Sequence, residues 1–452
     1  MKKEPKPKAG RSWRAGFWSL IATQFQTAFN DNAVKFLVIY IIVGMNFPSH
    51  FRDRLILIVG ALFAIPFILF SMTGGYFADR YSKRSVTIGT KLLELLVMAF
   101  TILGLYLQSL PMECTSVFLI SMEAALFGPS KYGLLPELLP DNRLSWGNGV
   151  IELGTFVASI SATMAAGVLA EKYRGHEAIA GWLLFAFTCL GLATSLGISH
   201  IAAADPHRAF RWDPLGELIA QLQIIYADAV LFWSVVGNTY LWFLAALLQF
   251  TIVVYGHDVL HIDDTRTSYL QAAVGIGIGL GSLAAGYLSR GKIEMGLIPI
   301  GAMGMTIFGA LLYFSQPAAL LAHWLSTVMF HQGGTIAVKF GGLIVSAVRL
   351  RVPDLSLLGF FGGFFAVPLN ALIQHRPRPE QKGGVIAAAN LLSFVGVFLA
   401  AGAYYFFSTV WHQTPAGVFL NGAMLTLVTT AASIYLLRNS LFSFLRRSQG
   451  PS

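Results

Sequence analysis

Twelve apolar runs, each long enough to cross a bilayer, follow one another along almost the whole chain. They lie near 15–44, 54–78, 85–109, 114–139, 144–170, 178–200, 228–257, 267–289, 295–315, 355–375, 384–408 and 415–438. A helix of about 20 residues spans a hydrocarbon core of about 30 Å. Lipid offers the backbone no hydrogen-bond partners, so a run of this length satisfies itself as a helix. The expected fold class is an all-α membrane protein. Composition agrees: of 452 residues, 55% are apolar and 12% charged, too little charge to clothe a soluble surface.

The net charge of +9 would suit a nucleic-acid binder, but its distribution does not. Lys and Arg sit in the short connections between runs, and no basic stripe interleaved with aromatics appears. Basic residues mark the cytoplasmic side of a membrane protein. They concentrate at Lys2 to Arg14, Arg80 to Arg84, Lys131, Arg143, Arg208, Arg211, Arg376 to Lys382 and Arg438 to Arg447. An even number of crossings with that bias predicts two cytoplasmic termini. The first apolar run superficially resembles a signal peptide, yet it carries Asn30, Asp31, Asn32 and Lys35 and lacks a small-residue cleavage site, so it reads as a retained helix. Cys114 and Cys189 make neither a disulfide framework nor a zinc spacing, and no metal or other cofactor is expected.

The expected organisation is a basic N-terminus (1–14), a six-helix bundle (15–200), a polar cytoplasmic linker (201–227), a second six-helix bundle (228–438) and a cytoplasmic C-terminus (439–452). Residues 316–352 mix apolar stretches with His323, His331, Lys339 and glycines. They read as an amphipathic or re-entrant insertion on the outer side, with a thirteenth crossing as the alternative.

Corresponding connections of the two halves carry weak internal similarity. Gly74 to Arg84 reads GGYFADRYSKR, and Ala285 to Lys292 reads AGYLSRGK. The first resembles the cytoplasmic loop signature of the major facilitator superfamily, GxxxDRxGRR, with Ser82 in place of a glycine. In that reading Gly75 permits close helix contact, Asp79 sits against a helix N-terminus, and Arg80, Lys83 and Arg84 hold the loop at the inner face. These five are the expected gating residues, and simple obedience to the positive-inside rule is the plainer alternative for the cations. The glycines of the eighth run, Gly275 to Gly281, have helix-packing spacing rather than that of a nucleotide loop.

Charge inside a spanning helix is costly, so what remains there is a candidate for function. Thr27, Asp31 and Lys35 share a face of the first helix, Glu123 and Lys131 lie on the fourth, and Asn148, Glu152, Thr155 and Ser159 line the fifth. An Asp31–Lys35 ion pair within the helix is the structural alternative. Lys91 and Glu94 read as a structural pair near the inner surface. Asn370, Gln374 and Asn390 either meet substrate or only join helices, and Gln249 is similar.

Four runs carry a further resemblance: QFQTAFNDNAVKF (24–36), FGPSKYGLLPE (127–137), NGVIELGTF (148–156) and GGFFAVPLNALIQ (362–374). Together they resemble the bacterial lysophospholipid transporter family, in the branch often fused to acyltransferase and acyl-carrier-protein synthetase domains. The resemblance implies a major facilitator fold, with twelve helices in two pseudo-symmetric bundles. It implies a multi-pass protein of the bacterial inner membrane that carries lysophospholipids, chiefly lysophosphatidylethanolamine, from the outer to the inner leaflet for re-acylation. Asp31 and Lys131 match positions expected to meet substrate, and Glu152 matches the helix-five acid. Gln249 stands where some members carry a buried arginine. The expected substrate-binding set is Asp31, Lys35, Glu123, Lys131, Asn148, Glu152, Gln249, Asn370 and Asn390. Expected partners are the lysophospholipid, membrane lipids and a functionally coupled acyltransferase; the chain is expected to act as a monomer without nucleic acid.

Two other readings compete. A proton-coupled exporter of drugs or small metabolites would use Asp31 or Glu152 as the titrating acid, although helix five lacks the glycine-proline signature of antiporters. His200 and Asp205 match an HxxxxD acyltransferase pattern. They stand at a helix exit with no glycine-rich phosphate-binding block downstream, so no enzymatic activity is expected.

Overall fold

The computed structural model describes residues 12–45, 47–208, 213–260, 264–314 and 336–448. Among these residues the chain forms thirteen α-helices. They are α1 (Ser12–Gly44), α2 (Ser49–Arg80), α3 (Lys83–Tyr106), α4 (Leu110–Leu138), α5 (Leu144–Lys172), α6 (Ala178–Leu196), α7 (Pro214–Ala227), α8 (Ala229–Asp258), α9 (Asp264–Leu288), α10 (Leu297–Phe314), α11 (Ile336–His375), α12 (Lys382–Tyr405) and α13 (Pro415–Ser448). All but α7 supply the twelve helices long and apolar enough to cross a membrane, and the chain is an all-α, multi-pass membrane protein.

Two differences from the sequence expectation stand out. The linker is not simply a polar connection, because it contains α7. That helix starts on Pro214, whose missing N–H costs nothing at a first helical position, and Asp213 caps it by accepting the Gly216 N–H at 2.9 Å. The expected insertion at 316–352 is also revised: residues 336–352 are the opening turns of α11 and run on into the tenth span. Its remainder, 316–335, lies outside the described residues.

The chain groups into two compact units, residues 1–236 with 371–394, and residues 237–370 with 395–452. In the first, α1 packs on α4, α5 and α6, α2 on α4, and α3 on α4 and α6. Its apolar core includes Val34, Leu37, Val38, Met98, Leu105 and Ile120. A second cluster joins Met72 of α2 to Ile225 of α7, Leu231 of α8, Ile373 of α11 and Val385 to Ala389 of α12. The sequence halves and the packed units therefore do not coincide.

In the second unit the glycines of α9 serve packing, as their spacing suggests. A Cβ on Gly277 would lie 2.9 Å from the Ser356 carbonyl carbon, and one on Gly301 of α10 would lie 2.7 Å from the Phe361 carbonyl oxygen of α11. Without a hydrophobic drive between helices in lipid, such close backbone approach supplies the packing attraction.

Candidate functional site

The first unit buries an unusual amount of charge. Lys91 and Glu94, one turn apart on α3, form an ion pair with both side chains fully buried. Glu94 Oε1 also accepts from Gln26 Nε2 (2.8 Å), Asn30 Nδ2 (3.1 Å) and the Thr188 hydroxyl (3.2 Å). The Lys91 ammonium donates to Gln26 Oε1 at 2.9 Å and to the Thr27 hydroxyl. This network ties α1, α3 and α6 together inside the bundle. A buried pair holds only where its remaining hydrogen-bonding capacity is met, and Gln26, Asn30, Thr27 and Thr188 meet it here.

Around this knot lie the expected substrate residues. Asp31 stands in the field of Glu123, Glu94, Lys91 and Lys131, and its Oδ1 accepts no hydrogen bond. Glu123 is fully buried and neither of its oxygens accepts one; the neighbouring Thr90 hydroxyl donates instead to the Thr87 carbonyl at 3.0 Å. Lys131 faces Glu152 and Asp31, with its Nζ 4.3 Å from the Tyr132 ring centre. The Tyr132 hydroxyl donates to Glu152 at 3.5 Å. The structure thus brings Asp31, Glu123, Lys131 and Glu152 together from α1, α4 and α5. Lys35 does not close an ion pair with Asp31. Its ammonium donates to Asn32 Oδ1 at 3.1 Å and lies 4.2 Å from the Phe63 ring centre.

The remaining expected residues fare differently. Asn148 is taken up by Gln374, which it meets in a reciprocal amide pair, 3.0 Å one way and 2.7 Å the other. For Gln374 this is the helix-joining role. Asn390 is half-buried and lies against α4, where a Cβ on Gly128 would be 3.4 Å from its Nδ2. Gln249 and Asn370 belong to the second unit. Gln249 is exposed on α8, and Asn370 is half-buried.

At the α2–α3 turn, Asp79 is completely buried and accepts the Gly383 N–H at 2.7 Å and the Gly384 N–H at 3.0 Å, the free donors of the first turn of α12. Gly75 makes this approach possible, since a Cβ there would lie 2.7 Å from the Ala387 Cβ. Arg208, read from sequence only as a topology charge, pairs with both Asp79 and Glu217 of α7. Gln221 donates to Glu217 at 2.9 Å and fills the space a Cβ on Gly384 would need. Arg80 donates to the Arg208 carbonyl. Lys83 is not a surface cation: it is buried and pairs with Glu137 of α4 at 2.6 Å. Arg84 donates to the Leu196 carbonyl at the end of α6, at 2.9 Å. The sequence carried no signal for Arg208, Glu217 and Gln221 beyond their place in a linker.

Comparison with known proteins fits this geometry. The family model described as Major Facilitator Superfamily matches residues 15–401. The lysophospholipid transporter LplT of Cronobacter sakazakii is 30% identical over 399 residues, covering 87% of this chain and 89% of that protein. LplT of Klebsiella pneumoniae is 29% identical over 394 residues, covering 86% and 88%. The E. coli fucose:proton symporter FucP aligns with a TM-score of 0.70 at 12% identity, covering 94% of this chain and 99% of that one. The human organic anion transporter MFSD10 aligns at 0.68 with 14% identity, covering 94% and 100%. The chain therefore belongs to the major facilitator superfamily and, within it, to the family of these bacterial lysophospholipid transporters.

Proposed function

We propose that this protein carries lysophospholipids, chiefly lysophosphatidylethanolamine, from the outer to the inner leaflet of a bacterial inner membrane by alternating access. There the lipid is handed to an acyltransferase for re-acylation. The observation that carries this reading is the likeness to LplT over 87% of the chain. The charges of the first unit suit the substrate. The unpartnered oxygens of Asp31 and Glu123 attract an ammonium, and Lys131, with Lys35 beyond it, attracts a phosphate. Glu152 orients Lys131. Asn148, Asn390, Asn370 and Gln249 act secondarily, Asn148 only when released from Gln374. Gly75, Asp79, Arg80, Lys83 and Arg84 form the gating group at the cytoplasmic end. The protein works as a monomer with both termini in the cytoplasm.

Spheroplasts expressing the protein and supplied with labelled lysophosphatidylethanolamine test the reading. They should accumulate re-acylated diacyl lipid when an acyltransferase is present, and Asp31→Ala or Lys131→Ala should remove that uptake. No lipid uptake by the unaltered protein would sink the reading. The unpaired carboxylate of Glu123 favours one second reading, a proton-coupled exporter of small metabolites. Export that collapses with an uncoupler, without any lipid movement, would select it.

A further inference from the structure

Helix α7 is apolar on two sides, unlike a linker bathed in water: Ile225 is buried in the core cluster and further apolar residues face outward. Its Glu217 and Gln221 turn inward, toward Arg208 and Gly384, whereas its Gln223 is exposed. Its outward side presents Ile219, 56% exposed, and Tyr226, 78% exposed, and its helical residues include no Lys or Arg. A helix that shows its apolar side outward needs an apolar surrounding on that side.

That side continues directly into a membrane-facing surface. Asp228 alone separates α7 from the spanning helix α8, whose Val230, Trp233 and Val236 are exposed where lipid lies. Between them is a groove of about 450 Å3, lined by Ile219, Leu222, Tyr226, Phe232, Val236 and Leu392. Its walls are almost wholly apolar side chains. Tyr and Trp at one level mark a membrane–water boundary, because each has an apolar body and a polar tip. At the same end Arg376 donates through Nε to Asp228 at 2.6 Å and remains half exposed. Arg378 is exposed two residues further on.

We propose that this groove is a binding site for a phospholipid of the surrounding bilayer, one acyl chain lying between α7 and α8 and an anionic head group meeting Arg376. The site is separate from the buried charges of α1, α4 and α5 and rests only on the chain being a membrane protein. Its position gives it a consequence. The lipid holds one side of α7 while the other side holds Arg208 and lies against Gly384, so the bilayer steadies the cluster around Asp79.

The test uses the full chain in vesicles of phosphatidylethanolamine and phosphatidylglycerol containing a phosphatidylglycerol with a diazirine at its acyl terminus. After irradiation and digestion, peptides from 214–236 should be labelled well above those of the other membrane-facing helices. Ile219→Glu touches no packed interior and should remove that excess. Arg376→Gln should remove the preference for phosphatidylglycerol over a phosphatidylcholine probe. Excess lysophosphatidylethanolamine should leave the label in place. Label spread evenly over all spanning helices would overturn the proposal, as would displacement by the lysolipid, which would make the groove part of a substrate path.

Discussion

Asn148 and Gln374, 226 positions apart in the chain, hold each other by two side-chain amide hydrogen bonds, 3.0 Å and 2.7 Å long. Both side chains are buried, and Asn148 spends its second N–H on the Leu144 carbonyl at 3.1 Å. Each amide thus presents its carbonyl and an N–H to the other. Removing one partner strands the other away from water, at a cost of about 1–3 kcal/mol. Asn148→Ala, Gln374→Ala and the double variant should therefore lower thermal stability in detergent by similar amounts. A double variant that loses the sum of the two single losses would show that the residues act independently.

Asp79 makes a related bond with stronger partners. One carboxylate takes two backbone N–H groups and the Arg208 guanidinium, and hydrogen bonds to a charged group contribute about 1.5–3 kcal/mol each. Asp79→Asn keeps one acceptor but must turn its NH2 toward a donor, so it should weaken the α12 contact strongly. Arg208→Ala leaves both backbone bonds and should be milder. Trypsin accessibility at Lys382, the first residue of α12, read by cleavage of the purified protein, should rise more in the first variant than in the second. Equal accessibility in both would put the weight on Arg208 instead.

Much of this was legible in the sequence, and what was not has definable causes. The twelve spans followed from length and hydropathy alone, and the contact between Asp79 and a helix N-terminus followed from GYFADRYSKR. Helix α7 escaped because its 14 residues are too few to span a bilayer and its polar Glu217, Gln221 and Gln223 interrupt the apolar ones, so its pattern suggests a solvated connection. The partners of Lys91 and Glu94 escaped for another reason. The pair is visible as neighbours one turn apart, but Gln26, Asn30 and Thr188 come from other helices and lie 64 to 94 positions away from Glu94. Asn148 reads from sequence as a substrate-binding candidate because Gln374, which occupies it, lies 226 positions away.

The Lys91–Glu94 knot has a sharp consequence. Breaking a fully buried ion pair by removing one charge strands the other, which costs about 3–5 kcal/mol, whereas replacing both with apolar residues of similar volume is often much milder. Glu94→Gln should thus destabilise the protein more than the Lys91→Met, Glu94→Leu double variant. Thermal aggregation of the detergent-solubilised variants measures this. A single variant as stable as the unaltered protein would mean that water reaches the pair.

At the start of α8 the Asp228 carboxylate accepts the Val230 and Leu231 N–H groups at 3.0 Å and 3.2 Å and the Arg376 Nε–H at 2.6 Å. The Arg376 hydrogen bond is the main cause holding this carboxyl below its ordinary value of 3.8. The folded protein therefore binds this proton less readily than the unfolded chain does. Stability from Asp228 is fully present above the ordinary value and fades as the pH falls below it toward the depressed folded value. Asp228→Asn keeps an acceptor for the helix N–H groups but removes the charge. The gap in melting temperature between the two proteins should stay constant from neutral pH down to about 5 and close below about 4. A gap that closes between pH 6 and 8 instead would assign it to a group other than this carboxylate.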